Sequence, residues 1–305
     1  MFSSSFQVKR LLVAWTFVLL WGAFATAEDS LPQPTETRTL ADGVVWRTWQ
    51  LKEPVPRSIQ ALTIDTTKPN VDVFYSIGGA DPDGSGEYHT TGMNVFASAE
   101  TFGYDLAINA DELFTTTKAS DTLASWGKMA VPCMVEGQWI EKPPANFPTT
   151  LRIYRDGHFE FDDSDEYDKD VIHVIRGRGA HRMLVRDGKP VTDVAAAYAA
   201  NDAEHPRTVL GIDPTGKVVT ILIVDGRRPD HANGLTIADT QQWMVGLGVD
   251  AAMNLGGGGN TIFVGRTNAD GPLRILNIPS DRNPQGLIQL RSNRTTLGFR
   301  IYDRE

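Results

Sequence analysis

The chain has 305 residues, with 29 Lys and Arg against 38 Asp and Glu, a formal net charge of −9. That acidic surplus argues against nucleic acid or an anionic membrane surface as a partner, because both select cationic faces. Cys133 is the single cysteine, which excludes an intramolecular disulfide framework, and its apolar neighbours Val131, Pro132 and Met134 mark it as a buried thiol.

The N-terminus reads as a secretory signal. Lys9 and Arg10 precede an apolar stretch, Leu11 to Gly22, and then the small-residue pattern Ala25-Thr26-Ala27, so cleavage is expected after Ala27 and the product is secreted or periplasmic. The alternative of a membrane anchor is weaker, since a spanning helix needs about 20 apolar residues. Cleavage leaves 27 basic residues against 38 acidic, a net charge of −11. Residues 28–43, punctuated by Pro32 and Pro34, read as a flexible lead-in. Residues 44–305 carry no linker or internal repeat and are expected to form one domain.

Along that domain, Ile59–Asp65 and Val71–Tyr75 read as paired strands around the turn Lys68-Pro69-Asn70. Thr91 is placed to cap a helix running to Phe102. A short buried strand, Asp105–Asn109, follows and delivers Asn109 to its end. Asp156-Gly157 joins the strands Leu151–Tyr154 and His158–Phe161 as a hairpin. Met183–Arg186, Val209–Ile212 and Val218–Val224 continue the strands, broken by Asp187-Gly188 and Pro214-Thr215-Gly216. The alanine-rich stretch Val191–Asn201 is expected to be helical. Thr236 through Asp239 form a capping box for a second helix, which Gly248 ends. The expected class is therefore α+β, a strand-rich domain with mixed or antiparallel sheet and few helices.

The most informative segment is the run of four glycines, Gly256 to Gly259, between Ala251–Leu255 and Thr261–Val264. It lacks the Lys, Ser/Thr and following helix of a phosphate-binding loop, so a glycine-rich hairpin is expected, one whose backbone lets a ligand approach closely. Around it lie His205-Pro206-Arg207-Thr208-Val209, Val224-Asp225-Gly226-Arg227, Gly234-Leu235-Thr236, Pro279-Ser280-Asp281 and Leu297-Gly298-Phe299. In this order, with Ala107-Ile108-Asn109-Ala110 and Val185 to Pro190 upstream, they resemble the phosphodiester glycosidase family over roughly residues 60–302. The resemblance implies a hydrolase that cleaves a sugar-1-phosphodiester or a related glycosidic bond on surface or extracellular glycans. It also implies a site made from these segments. Two departures stand out. The family has Asp where this chain has Gly256 and Ser where it has Asn260, and Asn109 to Phe114 replaces a stretch of glycines and aromatics. A second reading follows from them, that of a catalytically inactive carbohydrate-binding protein with the same fold.

A glycosyl phosphodiester sets two chemical demands: the phosphate charge must be held, and water or a carboxylate must attack the anomeric carbon. Arginine meets the first through its planar, permanently charged fork. Arg207 is the first choice, with Thr208 beside it, then Arg227 and, aligned with a family arginine, Arg291. Asp225, after an apolar strand, is the candidate base or nucleophile, and Asp281 a second acid. For each the structural alternative is an ion pair or a turn cap. Asn109, Asn254 and the glycines Gly256, Gly257, Gly258 and Gly259 are candidate substrate contacts. His205 and His231 lie within the motif segments and are candidates to line the pocket, although a lone histidine is more often structural. Asp81 to Gly86 imitates the start of a calcium loop, but the twelfth position is Gly92 instead of Glu. No metal or cofactor is called for; the expected ligand is a sugar phosphate or polysaccharide.

Overall fold

The computed structural model describes residues 31–84, 86, 88–110, 114–115, 126–129, 131–143, 149–175, 183–192, 203–292 and 295–302. The expected signal segment lies outside them, as does nearly all of the expected helix over 191–201. Four strands come first among the described residues: β1 (Glu36–Ala41), β2 (Val44–Leu51), β3 (Arg57–Asp65) and β4 (Asp72–Ile77). After β5 (Thr90–Thr91) comes helix α1 (Val95–Phe102), then β6 (Leu106–Asn109), β7 (Phe114–Thr115), β8 (Trp126–Lys128), β9 (Cys133–Val135) and β10 (Gln138–Glu141). The middle of the chain forms β11 (Thr150–Tyr154), β12 (Phe159–Asp162), β13 (Val171–Ile175), β14 (Met183–Arg186), β15 (Lys189–Pro190), β16 (Arg207–Ile212) and β17 (Val218–Val224). Helix α2 (Ile237–Gly246) then leads into β18 (Ala251–Gly257), β19 (Phe263–Gly265), β20 (Arg274–Ile275) and β21 (Thr295–Arg300).

These strands assemble into an eight-stranded sheet, β1-β2-β3-β17-β16-β18-β14-β15, two five-stranded sheets, β20-β19-β6-β21-β4 and β10-β9-β13-β11-β12, and a small sheet, β5-β8-β7. Every pairing between described strands is antiparallel. The fold is thus mostly β, with helices less prominent than the α+β expectation implied.

The run of apolar residues in β17, broken only by Thr220, has a direct cause: the large sheet is buried on both faces. Ile221 and Ile223 point with Leu62, Leu210 and Met253 into a core shared with Ile108, Phe263, Leu297 and Phe299 of the second sheet and Ile153 of the third. Leu222 and Val224, alternating to the other side as strand geometry requires, pack with Val209 and Ala252 against Ile237, Trp243 and Met244 of α2. The capping expectation for α2 is met, since the Thr236 side chain accepts from the Asp239 backbone N–H at 3.0 Å. Helix α1 starts later than expected: Asn94 is its cap, accepting from the Ala97 N–H at 2.8 Å, while Thr91 belongs to β5.

Two further expectations are corrected. β3 and β4 do not pair; they part into different sheets, β3 between β2 and β17 and β4 beside β21. Nor is the segment before Val44 a flexible lead-in over the part described. β1 pairs with β2, Leu40 is buried in the main core, Leu31 packs against the α2 cluster, and the Trp49 indole N–H donates to the Pro32 carbonyl at 2.7 Å. The polar composition that suggested flexibility is the exposed edge of a sheet: Glu36, Thr37, Arg38 and Thr39 are all exposed.

Candidate functional site

One end of the two facing sheets gathers the candidate residues. In the large sheet β16 starts with Arg207-Thr208, β17 ends by delivering Asp225, and β18 ends in glycine. Their register sets Arg207 opposite both Val224 and Gly257, and Thr208 opposite Gly256. From Gly257 the chain makes a single 3-10 turn, Gly258–Asn260, and enters β19, which pairs with β6 and β20 of the second sheet. The glycine run is therefore a crossover between sheets and not the expected hairpin. Asn109, at the end of β6, closes the gap between the sheets: its Oδ1 accepts from Thr208 Oγ1 at 2.8 Å and from the Ile262 N–H at 3.2 Å.

Asp225 is the hub of this end. It is 2% exposed, and its Oδ2 accepts from Ser58 Oγ at 2.9 Å and faces His231 Nε2 at 3.1 Å. Its Oδ1 accepts from Asn277 Nδ2 and from the Ile278 N–H, each at 3.0 Å. A carboxylate has about four acceptor sites, so these four partners hold it in a fixed orientation and leave little capacity for direct attack. Ser58 and Asn277 escaped the sequence reading because a lone Ser in a strand and a lone Asn in a loop carry no spacing signal. Only the fold brings them to Asp225.

The two leading arginines differ in setting. Arg207 is 6% exposed; its Nε donates to the Leu235 carbonyl at 3.2 Å and its Nη2 to the Ala203 carbonyl at 3.4 Å. Arg227 is exposed and adopts a left-handed backbone, φ 59°, unusual for a residue with a side chain. Its Nε lies 3.4 Å from His205 Nδ1. Burial, then the charges of Arg207 and Arg227, depress the His205 pKa, which favours the neutral ring.

The glycine loop sits directly beneath these groups. Gly258 has φ +63°, and a Cβ there would stand 2.9 Å from the Arg227 guanidinium. A Cβ on Gly259 would overlap the Asp281 carboxylate. The structure thus sets Arg227 and Asp281 against consecutive residues of the loop, and only glycines allow the approach. Asp281 in turn accepts from Arg291 Nε at 2.5 Å, so those two candidates form an ion pair. On Gly256 a Cβ would meet one atom only, Asn109 Nδ2 at 2.8 Å. Asn254 lies inside β18, opposite Val209, 4% exposed, and its Oδ1 is buried with no hydrogen-bond partner among the described residues. Among the described residues no cluster of His, Cys, Asp and Glu has the arrangement to hold a metal ion.

The antiparallel sheets thus bring arginines and carboxylates together around a glycine crossover. The family model for phosphodiester glycosidases matches residues 102–299, and the chain belongs to that family, a class of hydrolases acting on glycosyl phosphodiesters. The catalytic domain of zebrafish N-acetylglucosamine-1-phosphodiester alpha-N-acetylglucosaminidase, solved in a form auto-inhibited by its pro-peptide, shares the fold. Its TM-score is 0.62 at 19% identity, over 92% of this chain and 87% of that one. A Synechocystis protein matches with TM-score 0.53 at 13% identity, over 90% of this chain and 65% of that one. A Burkholderia pseudomallei protein described as exported matches with TM-score 0.50 at 12% identity, over 80% and 74%. A search of curated proteins gave no match.

Proposed function

We propose that the protein is an exported hydrolase that cleaves a sugar-1-phosphodiester, or a related glycosidic bond, on surface or extracellular glycans. The observation that carries this reading is the placement of Arg227: exposed, left-handed, and laid against Gly258 while Asp281 stands against Gly259. The phosphate takes the Arg227 fork, which can bind two of its oxygens. Asp281, paired with Arg291, faces the sugar. Phosphate is a good leaving group once its charge is held, so the reaction asks more for a proton acceptor than for an acid. Arg207 is buried, and its guanidinium donates to the Leu235 and Ala203 carbonyls, holding the loops beside β16. Export rests on residues 1–27, and N-terminal sequencing of protein recovered outside the cytoplasm should begin at Glu28.

The test is release of reducing sugar from a panel of sugar-1-(methyl phosphate) diesters by the purified protein, with binding of the corresponding sugar phosphates measured in parallel. Turnover of one member supports the hydrolase. Binding without turnover supports the second reading, a carbohydrate-binding protein that has lost catalysis. One observation favours that alternative: where the family has Asp, this chain has Gly256, and Asn109 Nδ2 stands 2.8 Å from the empty Cβ position.

A further inference from the structure

We propose that His231, held by Asp225, is the general base that activates water in this site, so that the chain keeps a proton acceptor despite Gly256. This rests on the hydrolase reading above. The argument begins with the tautomer. An ionised carboxylate only accepts, so the neutral ring donates from Nε2 to Asp225 Oδ2 across 3.1 Å and its Nδ1 keeps a free lone pair. Asp225 is 2% exposed and is fixed by Ser58, Asn277 and the Ile278 N–H. Its orientation therefore transmits to the ring, while the His231 side chain is 24% exposed and reachable by water. A buried, fully hydrogen-bonded carboxylate behind a partly open imidazole is the arrangement that orients a base and stabilises it once charged. It also explains why so much of this strand end is spent on a carboxylate with no room to attack.

Asp225 faces the His231 ring from the end of β17, and on the ring's own loop stand Arg228 and Asp230, which pair with each other at 3.3 Å. In the step itself a water oxygen bonds to the anomeric carbon as the bond from that carbon to the phosphate oxygen breaks. The bonding pair leaves on the phosphate monoester, held by Arg227, and the water proton passes to His231 Nδ1, then to solvent. Asp225 is a positioning residue and does not touch substrate.

The experiment compares wild type, His231→Gln and His231→Ala on the diester panel across pH. Wild-type kcat/KM should fall on the acidic side, as a rate that depends on a base does. His231→Gln can still donate to Asp225 but cannot take the proton. Its kcat should fall at least about a hundredfold with little change in KM or melting temperature, and the acidic limb should disappear. Added imidazole should restore part of the rate to His231→Ala. A Gln variant that keeps the wild-type rate and limb overturns the assignment and leaves the hydrolase reading intact. Loss of rate with the limb retained and no rescue by imidazole assigns the ring a structural role and also overturns it. Absence of turnover by the wild type on every diester overturns the hydrolase reading and this assignment with it.

Discussion

At Arg227 a strained backbone and an exposed cation coincide. A left-handed conformation costs a residue with a side chain about 1–2 kcal/mol, and such strain persists where the surrounding structure enforces it. Here the enforcement is visible: the Arg227 N–H donates to the Asn233 carbonyl at 3.0 Å, and Gly226 passes so close to Asn233 and Pro206 that no Cβ fits. Arg227→Gly removes the strain while adding freedom to the unfolded chain, effects of opposite sign and similar size. Stability should therefore stay within about 1 kcal/mol of wild type, while affinity for sugar phosphates falls roughly tenfold or more with the loss of a charge-assisted contact. Unchanged binding in a calorimetric titration would remove Arg227 from the site. Gly256 offers the converse test. Its backbone is outside the left-handed region, and the single atom a Cβ would meet, Asn109 Nδ2, is a donor. Gly256→Asp should thus fold, after a small movement of the amide, and give the new carboxylate a partner. Turnover of sugar phosphodiesters should rise by about a hundredfold if a second proton acceptor is what the site lacks; a folded variant that binds sugar phosphates but gains no rate would refute that.

Elements were legible in the sequence to different depths. β17 could be read because a run apolar on both faces of a buried strand leaves no ambiguity, and α2 because Thr236 and Gly248 mark both its ends. Partnership between strands was less visible. β3 and β4 are joined by a turn short enough for a hairpin, yet they separate because β3 finds β17, far along the chain, through a seven-residue register. The glycine run misled in the same way, since nothing local distinguishes a hairpin turn from a crossover between stacked sheets. The site followed this pattern: Asp225, Arg227 and Asp281 sit in recognisable motifs, whereas Ser58 and Asn277 acquire meaning only when distant elements converge on one carboxylate. β1 supplies a prediction at this scale. Removing residues 28–43 deletes Leu40 and Leu31 from two cores, leaves β2 as an unpaired edge on one side and orphans the Trp49 indole N–H. A loss of roughly 3 kcal/mol or more is expected from the two leucines and the hydrogen bond, visible as a lower urea midpoint. An unchanged midpoint would show that β1 is only an ornament on the sheet.

For the molecule as a whole, acid sensitivity has a source in the third sheet. His173 of β13 is 3% exposed, packs edge-on to Tyr75 with ring centroids 6.1 Å apart, and receives the Glu136 N–H at Nδ1 across 3.2 Å. Burial disfavours its charged form and pushes its pKa from 6.5 down to about 4. The unfolded chain therefore binds a proton below about pH 6.5 that the folded protein refuses until about pH 4. In that window the unfolded state holds more protons, so stability falls as pH falls, by up to about 3 kcal/mol from this one group. Below the window both states are protonated and the loss levels off. Because the third sheet shares the main core with the large sheet through Leu151, Ile153 and Ile175, the loss should appear as one cooperative transition and not as detachment of that sheet. His173→Gln keeps an acceptor for the Glu136 N–H and cannot titrate. Urea midpoints of the two proteins, measured at several pH values, should differ by a gap that changes between pH 6.5 and pH 4, with the wild-type midpoint falling more steeply on acidification. Parallel curves would mean that the ring is already protonated in the fold, and that the packing around Tyr75 tolerates a charge.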